Sequence, residues 1–151
     1  MANKKIWKGI LAIMLVCGLT VVGCNNGSTN QTNDGSDVSL INLVGVWEGS
    51  YYARQGETGM TLDVYKENDT YKALFSFYNL PDRTNSEAGK YTMNVSYASG
   101  EYLLEFDEWL SKPPTYISLD FKGTISGDVF SGDCYNNTSI GAGGSFSASR
   151  K

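Results

Sequence analysis

Four carboxylates in one short stretch are the first residues whose type and spacing could do chemistry. Glu101, Glu105, Asp107 and Glu108 lie within "GEYLLEFDEW". Two carboxylates at the right separation hydrolyse glycosidic bonds, and a larger set of oxygen ligands binds Ca²⁺. Neither site has a spacing signature here, and alternation places Glu105 and Asp107 on a polar face. A solvated acidic face is the favoured interpretation, with a metal site and carboxylate catalysis as alternatives.

Other catalytic sites lack the residues that they need. The chain has no histidine, the commonest general base and metal ligand. Cys134 therefore has no imidazole to activate it, and its place on an apolar face predicts a small buried side chain. There is no G-x-S-x-G element, and "SIGAGGS" lacks the lysine and helix of a phosphate loop. We expect a non-enzymatic protein with no catalytic residue, metal or cofactor. The alternative is a carboxylate-dependent hydrolase acting on an extracellular substrate.

Aromatic side chains are the main candidates for contact with a ligand or a partner. At the mouth of a barrel such rings receive a small apolar or sugar-like ligand, whereas in the interior they only fill the space. Both interpretations stay open for Trp47, Tyr51, Tyr97, Tyr102, Phe106 and Tyr116, and Trp109 is a further candidate contact outside the barrel. The stretch "EWLSKPPTY" is predicted to be a stiff surface loop containing Trp109, and it is the first place to look for a protein partner.

Alternating apolar and polar residues from Leu43 onward predict the β-strands that position these side chains. Two-residue turns at Asn68-Asp69, Ser99-Gly100 and Gly127-Asp128 define three hairpins, each with one apolar face. The predicted apolar pairs are Met60–Phe77, Leu62–Phe75, Val64–Ala73, Met93–Phe106, Val95–Leu104, Tyr97–Tyr102, Ile125–Phe130 and Phe121–Cys134. On the polar face of the second hairpin, Thr92 is predicted to lie opposite Asp107.

One further strand on each side of the hairpins gives about eight antiparallel strands. Eight strands with tight turns and one apolar face predict an all-β, up-and-down β-barrel over residues 43–151, because closure removes the exposed edges. A two-sheet β-sandwich is the alternative.

Residues 1–23 have the pattern of a signal peptide, with a basic start, a short apolar run and small residues at its end. The apolar run from Gly9 to Val22 is shorter than the about 20 residues that a transmembrane helix needs. The following "VVGC" resembles the bacterial lipobox, and this resemblance implies that the leader is removed and that Cys24 is lipidated. A plain secretory signal is the alternative.

Acyl chains on Cys24 would hold the protein on a membrane of the cell envelope, since two or more chains anchor firmly. Asn25 follows the cysteine instead of Asp, and by resemblance to the enterobacterial sorting pattern this favours the outer membrane. Residues 24–42 are mostly polar and predict a flexible linker that spans on the order of 25 Å.

The charge of the chain limits its partners. Without Lys4, Lys5 and Lys8 of the leader, 9 of the 12 basic residues remain against 16 acidic ones, a net charge of about −7. We therefore expect no nucleic-acid partner, because the clustered cations that neutralise phosphates are missing. The same charge should keep the domain off an anionic membrane surface.

Two family resemblances concern the barrel. Gly45 and Trp47 in "GVWEGSYY" form a G-x-W that resembles the opening of lipocalins and avidins, in which the tryptophan plugs one end of the barrel. This resemblance implies the architecture but no ligand. The order of "QGETGMTL", "FSFY", "GKYTMNV" and "EWLSKPPTY" is similar to a domain of uncharacterised exported bacterial proteins. Some of these have a cysteine near the position of Ala53 that pairs with one near Cys134, and Ala53 here removes that bridge.

Overall fold

The fold is a closed β-barrel with one helix before it. The computed structural model describes residues 34–136 and 143–151, so Cys24 and the leader lie outside the described residues. Each strand pairs antiparallel with the next, and the last pairs with the first. The elements are α1 (Asp34–Leu43), β1 (Gly45–Ala53), β2 (Gly56–Glu67), β3 (Thr70–Tyr78), β4 (Glu87–Ala98), β5 (Glu101–Ser111), β6 (Asp120–Ser126), β7 (Val129–Tyr135) and β8 (Gly144–Arg150).

This architecture confirms the predicted all-β, up-and-down barrel and excludes the two-sheet sandwich. The eight apolar pairs predicted for the three hairpins are all present in the observed register. Positive φ angles at Asn68 (46°), Asp69 (63°), Ser99 (55°) and Gly100 (88°) fit the turns that match the twist of the flanking strands. Within the described ranges, no helix is long and apolar enough to cross a membrane.

One predicted pair is wrong. Thr92 lies opposite Glu108 instead of Asp107, because the register of β4 and β5 shifts between Thr92 and Met93. Asp107 is the additional residue of a β-bulge in β5, and bulges of this kind bend the strand that contains them. The bulge keeps both Phe106 and Trp109 in contact with Tyr91 of β4.

The barrel closes where β1 meets β8, and this seam depends on Gly49. A Cβ atom at Gly49 would collide with the backbone of Ser147 and Ala148. Any larger residue would therefore push β8 away from β1 and lengthen the hydrogen bonds of the seam. Gly49 is thus required by a close approach of two backbones.

Helix α1 covers one end of the barrel, which we call the closed end. Leu43 is fully buried there, and the indole Nε1 of Trp47 donates a hydrogen bond to the Leu43 carbonyl (2.8 Å). The guanidinium of Arg150 lies 4.2 Å from the centre of the Trp47 ring and donates hydrogen bonds to the carbonyls of Asn42 and Val44. Trp47 therefore closes the barrel, with the helix on one side and the last strand on the other.

The structure differs here from the predicted linker. Residues 24–42 were predicted to be a flexible linker. Residues 24–33 lie outside the described residues, and α1, which begins at Asp34, packs its Leu40 and Leu43 side chains against the core. The helix has a polar composition, and ten residues are too few for stability in water. Its contacts with the closed end are what stabilise it.

Replacement of Trp47 by alanine should lower the free energy of unfolding by about 3–5 kcal/mol, because it leaves a void and an unpaired Leu43 carbonyl. Equilibrium unfolding in guanidinium chloride measures this loss. Tyr52→Ala on the same strand is the matched control, since Tyr52 is exposed, and it should change stability by about 0.5 kcal/mol or less. A Trp47→Ala midpoint close to that of the control would contradict the assignment of Trp47 as a plug.

Candidate functional site

The two ends of the barrel differ in their connections. The closed end has the three two-residue turns predicted from the sequence, whereas the other end, which we call the open end, has the turn 54–55 and the longer connections 79–86 and 112–119. Long connections positioned by a rigid scaffold are where binding residues are usually found. The open end is therefore the first region to examine for a site.

The seven aromatic residues singled out from the sequence do not form one group. Trp47, Tyr97 and Tyr102 lie at the closed end, where Tyr97 and Tyr102 pack together with ring centres 4.9 Å apart. The Tyr102 hydroxyl donates to the carbonyl of Ser39 in α1 (2.9 Å). These contacts fasten the helix to the barrel, and they account for the three closed-end rings as structural residues.

Tyr51 is buried in the barrel, below the open end. Its ring centre lies 5.9 Å from that of Phe75 and 6.2 Å from that of Phe121. Its hydroxyl is hydrogen-bonded to Thr58 and accepts from Gln55 Nε2 (3.5 Å). Burial raises the pKa of the Tyr51 hydroxyl to about 12, so this group is a neutral hydrogen-bonding partner at physiological pH.

The interior below Tyr51 is occupied by aromatic rings in mutual contact. Phe75 lies 4.8 Å from Tyr91 and 4.9 Å from Phe121, and Phe130 lies 4.8 Å from Phe146, all measured between ring centres. An eight-stranded barrel is just wide enough for such side chains. This packing favours the interpretation that the buried rings fill the interior of the barrel. A ligand contact is then to be sought among the rings at the rim.

Five rings form a connected group at the rim, which we call the open-end cluster. The ring of Tyr116 stacks on Phe77 at 5.1 Å, and Trp109 lies 4.8 Å from Tyr91 and 6.3 Å from Phe77. Phe106 lies 5.4 Å from Tyr91 and 5.8 Å from Trp109. Phe77 and Tyr91 are buried, whereas Phe106, Trp109 and Tyr116 are half-buried. The buried rings thus support three rings that water can reach.

Trp109 belongs to β5 and not to a loop, contrary to the prediction for "EWLSKPPTY". The strand continues to Ser111, and only residues 112–119 form the connection to β6. The ammonium of Lys112 lies 5.8 Å from the centre of the Trp109 ring, a cation–π distance. A ring on a strand is more rigidly held than one in a loop, so Trp109 remains a candidate contact residue.

Tyr91 positions the connection that carries Tyr116, and the sequence analysis did not single it out. The Tyr91 hydroxyl donates to the Leu119 carbonyl (2.9 Å) and accepts from the Leu119 amide (3.2 Å). Burial raises the pKa of this hydroxyl well above its ordinary value. The apolar alternation that placed Met93 inside the barrel also places Tyr91 there, and a buried hydroxyl requires a partner.

The connection 79–86 lies against the outer surface of the barrel. Arg83 donates to the carbonyl of Gly49 (3.3 Å) and to the Glu48 carboxylate (3.0 Å) on β1. The hydrogen bond from Lys151, followed by the charge of Arg83, lowers the pKa of Glu48, so this carboxylate stays ionised. Arg83 thereby holds its part of the connection to the side of the barrel.

Asp107 of β5 does not have the environment of a general acid. The Lys72 ammonium hydrogen-bonds Asp107 (3.0 Å) and lowers the pKa of that carboxyl, whereas a general acid needs a raised pKa. Glu101 forms an ion pair with Lys122 (2.7 Å), and Glu105 and Glu108 are exposed. In the part of the chain that the structure describes, no group of three His, Cys, Asp or Glu residues is arranged to hold a metal ion.

Comparison with known proteins adds no assignment, since no protein-family model, curated protein or solved structure matches the chain.

Cys134 is buried, as predicted, with its side chain 1% exposed. It lies opposite Phe121, and its thiol is 3.9 Å from the carbonyls of Tyr52 and Ser145. Burial raises the pKa of the thiol to about 11, so only a very small fraction is thiolate at neutral pH.

We expect Cys134 to resist a thiol reagent in the folded protein at pH 8 and to react at once in denaturant. A chain that begins at residue 25 has Cys134 as its sole thiol, so the release of a chromophore from a disulfide reagent measures its reaction directly. Raising the pH towards 11 should accelerate labelling because more thiolate forms. Rapid native labelling at pH 8 would contradict both the burial and the raised pKa.

Proposed function

We propose that the protein is a non-enzymatic binding module of the cell envelope, anchored through acyl chains on Cys24, and that its ligand contacts the open-end cluster. The ligand is a small molecule with a flat apolar face and polar edges, such as a sugar ring. The observation that carries this proposal is the group of half-buried rings of Phe106, Trp109 and Tyr116, supported from below by buried rings.

The attachment of the chain to the barrel supports the proposal. Helix α1 packs against the closed end through Leu40, Leu43 and the bond from Tyr102 to Ser39. Helix α1 therefore lies at the end opposite the open-end cluster. Anchoring at the closed end would leave the half-buried rings accessible to a ligand.

The chemistry of the rim supports an amphipathic ligand. Trp109 and Tyr116 offer ring faces to an apolar surface. The Tyr116 hydroxyl lies 3.5 Å from Asn79 Oδ1, and Gln55 lies beside the Tyr51 hydroxyl. A few polar groups around an apolar surface orient a ligand and provide specificity. Because Phe77 and Tyr91 already hold the rings in place, little ordering is required on binding.

Trp109 fluorescence tests the ligand site. In a chain that begins at residue 25, Trp47→Phe leaves Trp109 as the sole tryptophan. Titration with short pyranose oligosaccharides should give a saturable change in its emission, and Tyr116→Ala should weaken that binding by about tenfold or more. An anilinonaphthalene dye tested in parallel shows whether a purely apolar ligand is preferred.

Tyr52→Ala is the matched control, because Tyr52 is an exposed tyrosine on the outer surface, and it should leave the titration unchanged. If neither probe gives a saturable signal, or if the control weakens binding as much as Tyr116→Ala, the open-end cluster is not the ligand site.

Metabolic labelling with a radioactive fatty acid tests the anchor. The wild-type chain should incorporate the label, and Cys24→Ser should abolish incorporation because the acylated sulfur is missing. Cys134→Ser is the matched control and should be labelled like the wild type. Label on the Cys24→Ser chain would disprove lipidation at this residue.

A further inference from the structure

Among the described residues, the second half of β5, from Glu105 to Ser111, has one edge without a neighbouring strand. β5 pairs with β4 from Glu101 to Ser111, but its pairing with β6 is confined to three residues, Tyr102 to Leu104. From Glu105 to Ser111 the strand therefore has a paired edge towards β4 and a free edge towards β6. We call this second edge the β5 edge.

Little of the described structure covers the β5 edge. The amide of Phe106 donates to Asp120 Oδ1 (2.7 Å), and among the described residues no other backbone group between Glu105 and Ser111 bonds to β6 or to the connection 112–119. The side chain of Leu110 is 57% exposed. A row of free backbone donors and acceptors is the template on which an extended segment adds as a new strand.

The two sides of the β5 edge differ in chemistry. Glu105 and Glu108 are exposed on the outer side, whereas the half-buried rings of Phe106 and Trp109 point to the inner side. An added strand with alternating basic and apolar side chains would place its cations beside the glutamates and its apolar groups on the rings.

Bulges and charges also serve to protect edges from unwanted pairing, and β5 has both. Here the charges have one sign. Glu105 and Glu108 repel acidic segments, including a second copy of this acidic chain, but they attract a basic one. The β5 edge thus selects basic segments over acidic ones. It also presents apolar rings, which protection against unwanted strand pairing does not need.

We propose that the β5 edge, from Glu105 to Ser111, binds an extended basic segment of a partner protein by strand addition, with Lys or Arg alternating with apolar residues. The inference goes beyond the proposed function, since the recognition uses the backbone of β5 and the two glutamates in addition to Phe106 and Trp109. A small ligand at the open-end cluster uses neither glutamate.

Binding of a fluorescently labelled peptide of alternating lysine and valine, about seven residues long, tests the proposal by fluorescence anisotropy. The wild-type chain from residue 25 should bind it, and Glu105→Lys combined with Glu108→Lys should weaken binding by about tenfold or more. The same peptide with its central amides N-methylated should lose binding, because it cannot donate to the strand.

The matched control is Asp63→Lys on β2 combined with Asp133→Lys on β7. It changes the charge by the same amount at exposed positions that pair with neighbouring strands on both edges. If it weakens binding as much as the β5 variant, the attraction is non-specific and the proposal is wrong. Absence of binding to the wild type, or undiminished binding of the N-methylated peptide, would overturn it equally.

The peptide test and the saccharide test fail independently. Oligosaccharide binding without peptide binding would leave the ligand site intact and remove strand addition. If the peptide binds and the β5 variant weakens that binding, but no small ligand gives a signal, strand addition stands and the small-ligand site is wrong. The N-methylated peptide also keeps the proposal testable if the β5 variant fails to fold.

Discussion

The interior of an eight-stranded barrel is just wide enough for side chains to fill, and the rest of this structure depends on how they fill it. Inward-facing positions of this barrel hold aromatic rings such as Phe75, Phe121 and Phe130, which contact their neighbours at ring-centre distances of about 5–6 Å. Such packing provides the stability of the domain through buried apolar area. For this reason the binding surfaces that we propose lie at the rim and the edges of the barrel and not at its centre.

Trp47 shows how the same constraint organises the closed end. Its indole N–H is fully buried, and leaving it without a hydrogen-bond partner would lower the stability of the fold by about 1–3 kcal/mol. The partner is the Leu43 carbonyl at the end of α1, so the indole ties the helix to the barrel. Arg150 covers the ring and binds the backbone just after the helix, which connects the last strand to the same point. One buried polar atom thus explains why a short, polar helix is ordered.

The hairpins were predictable from the sequence because a two-residue turn fixes the register of its own strands, so Met60 and Phe77 need only local information. The helix was not predictable, since α1 depends on a surface formed by distant strands. The bulge at Asp107 and the separation of Trp109 from Tyr97 also escaped prediction. The alternation of apolar and polar residues identifies the face of the sheet on which a ring lies. The position of that ring along the barrel axis follows from the stagger of all eight strands.

The open-end cluster and the β5 edge have a common cause in the start of β6. Tyr91, inside the barrel, holds both backbone groups of Leu119, and Asp120 accepts the amide of Phe106. These side-chain bonds take the place of the β5–β6 backbone hydrogen bonds, which end at the pair Leu104 and Phe121 and do not continue towards the open end. Because β6 is held by side chains at this level, β5 is left with a free edge, and Phe106 and Trp109 are left half-buried. A complete ladder would have covered both, so the surfaces available for binding exist because two strands separate before the end of the barrel.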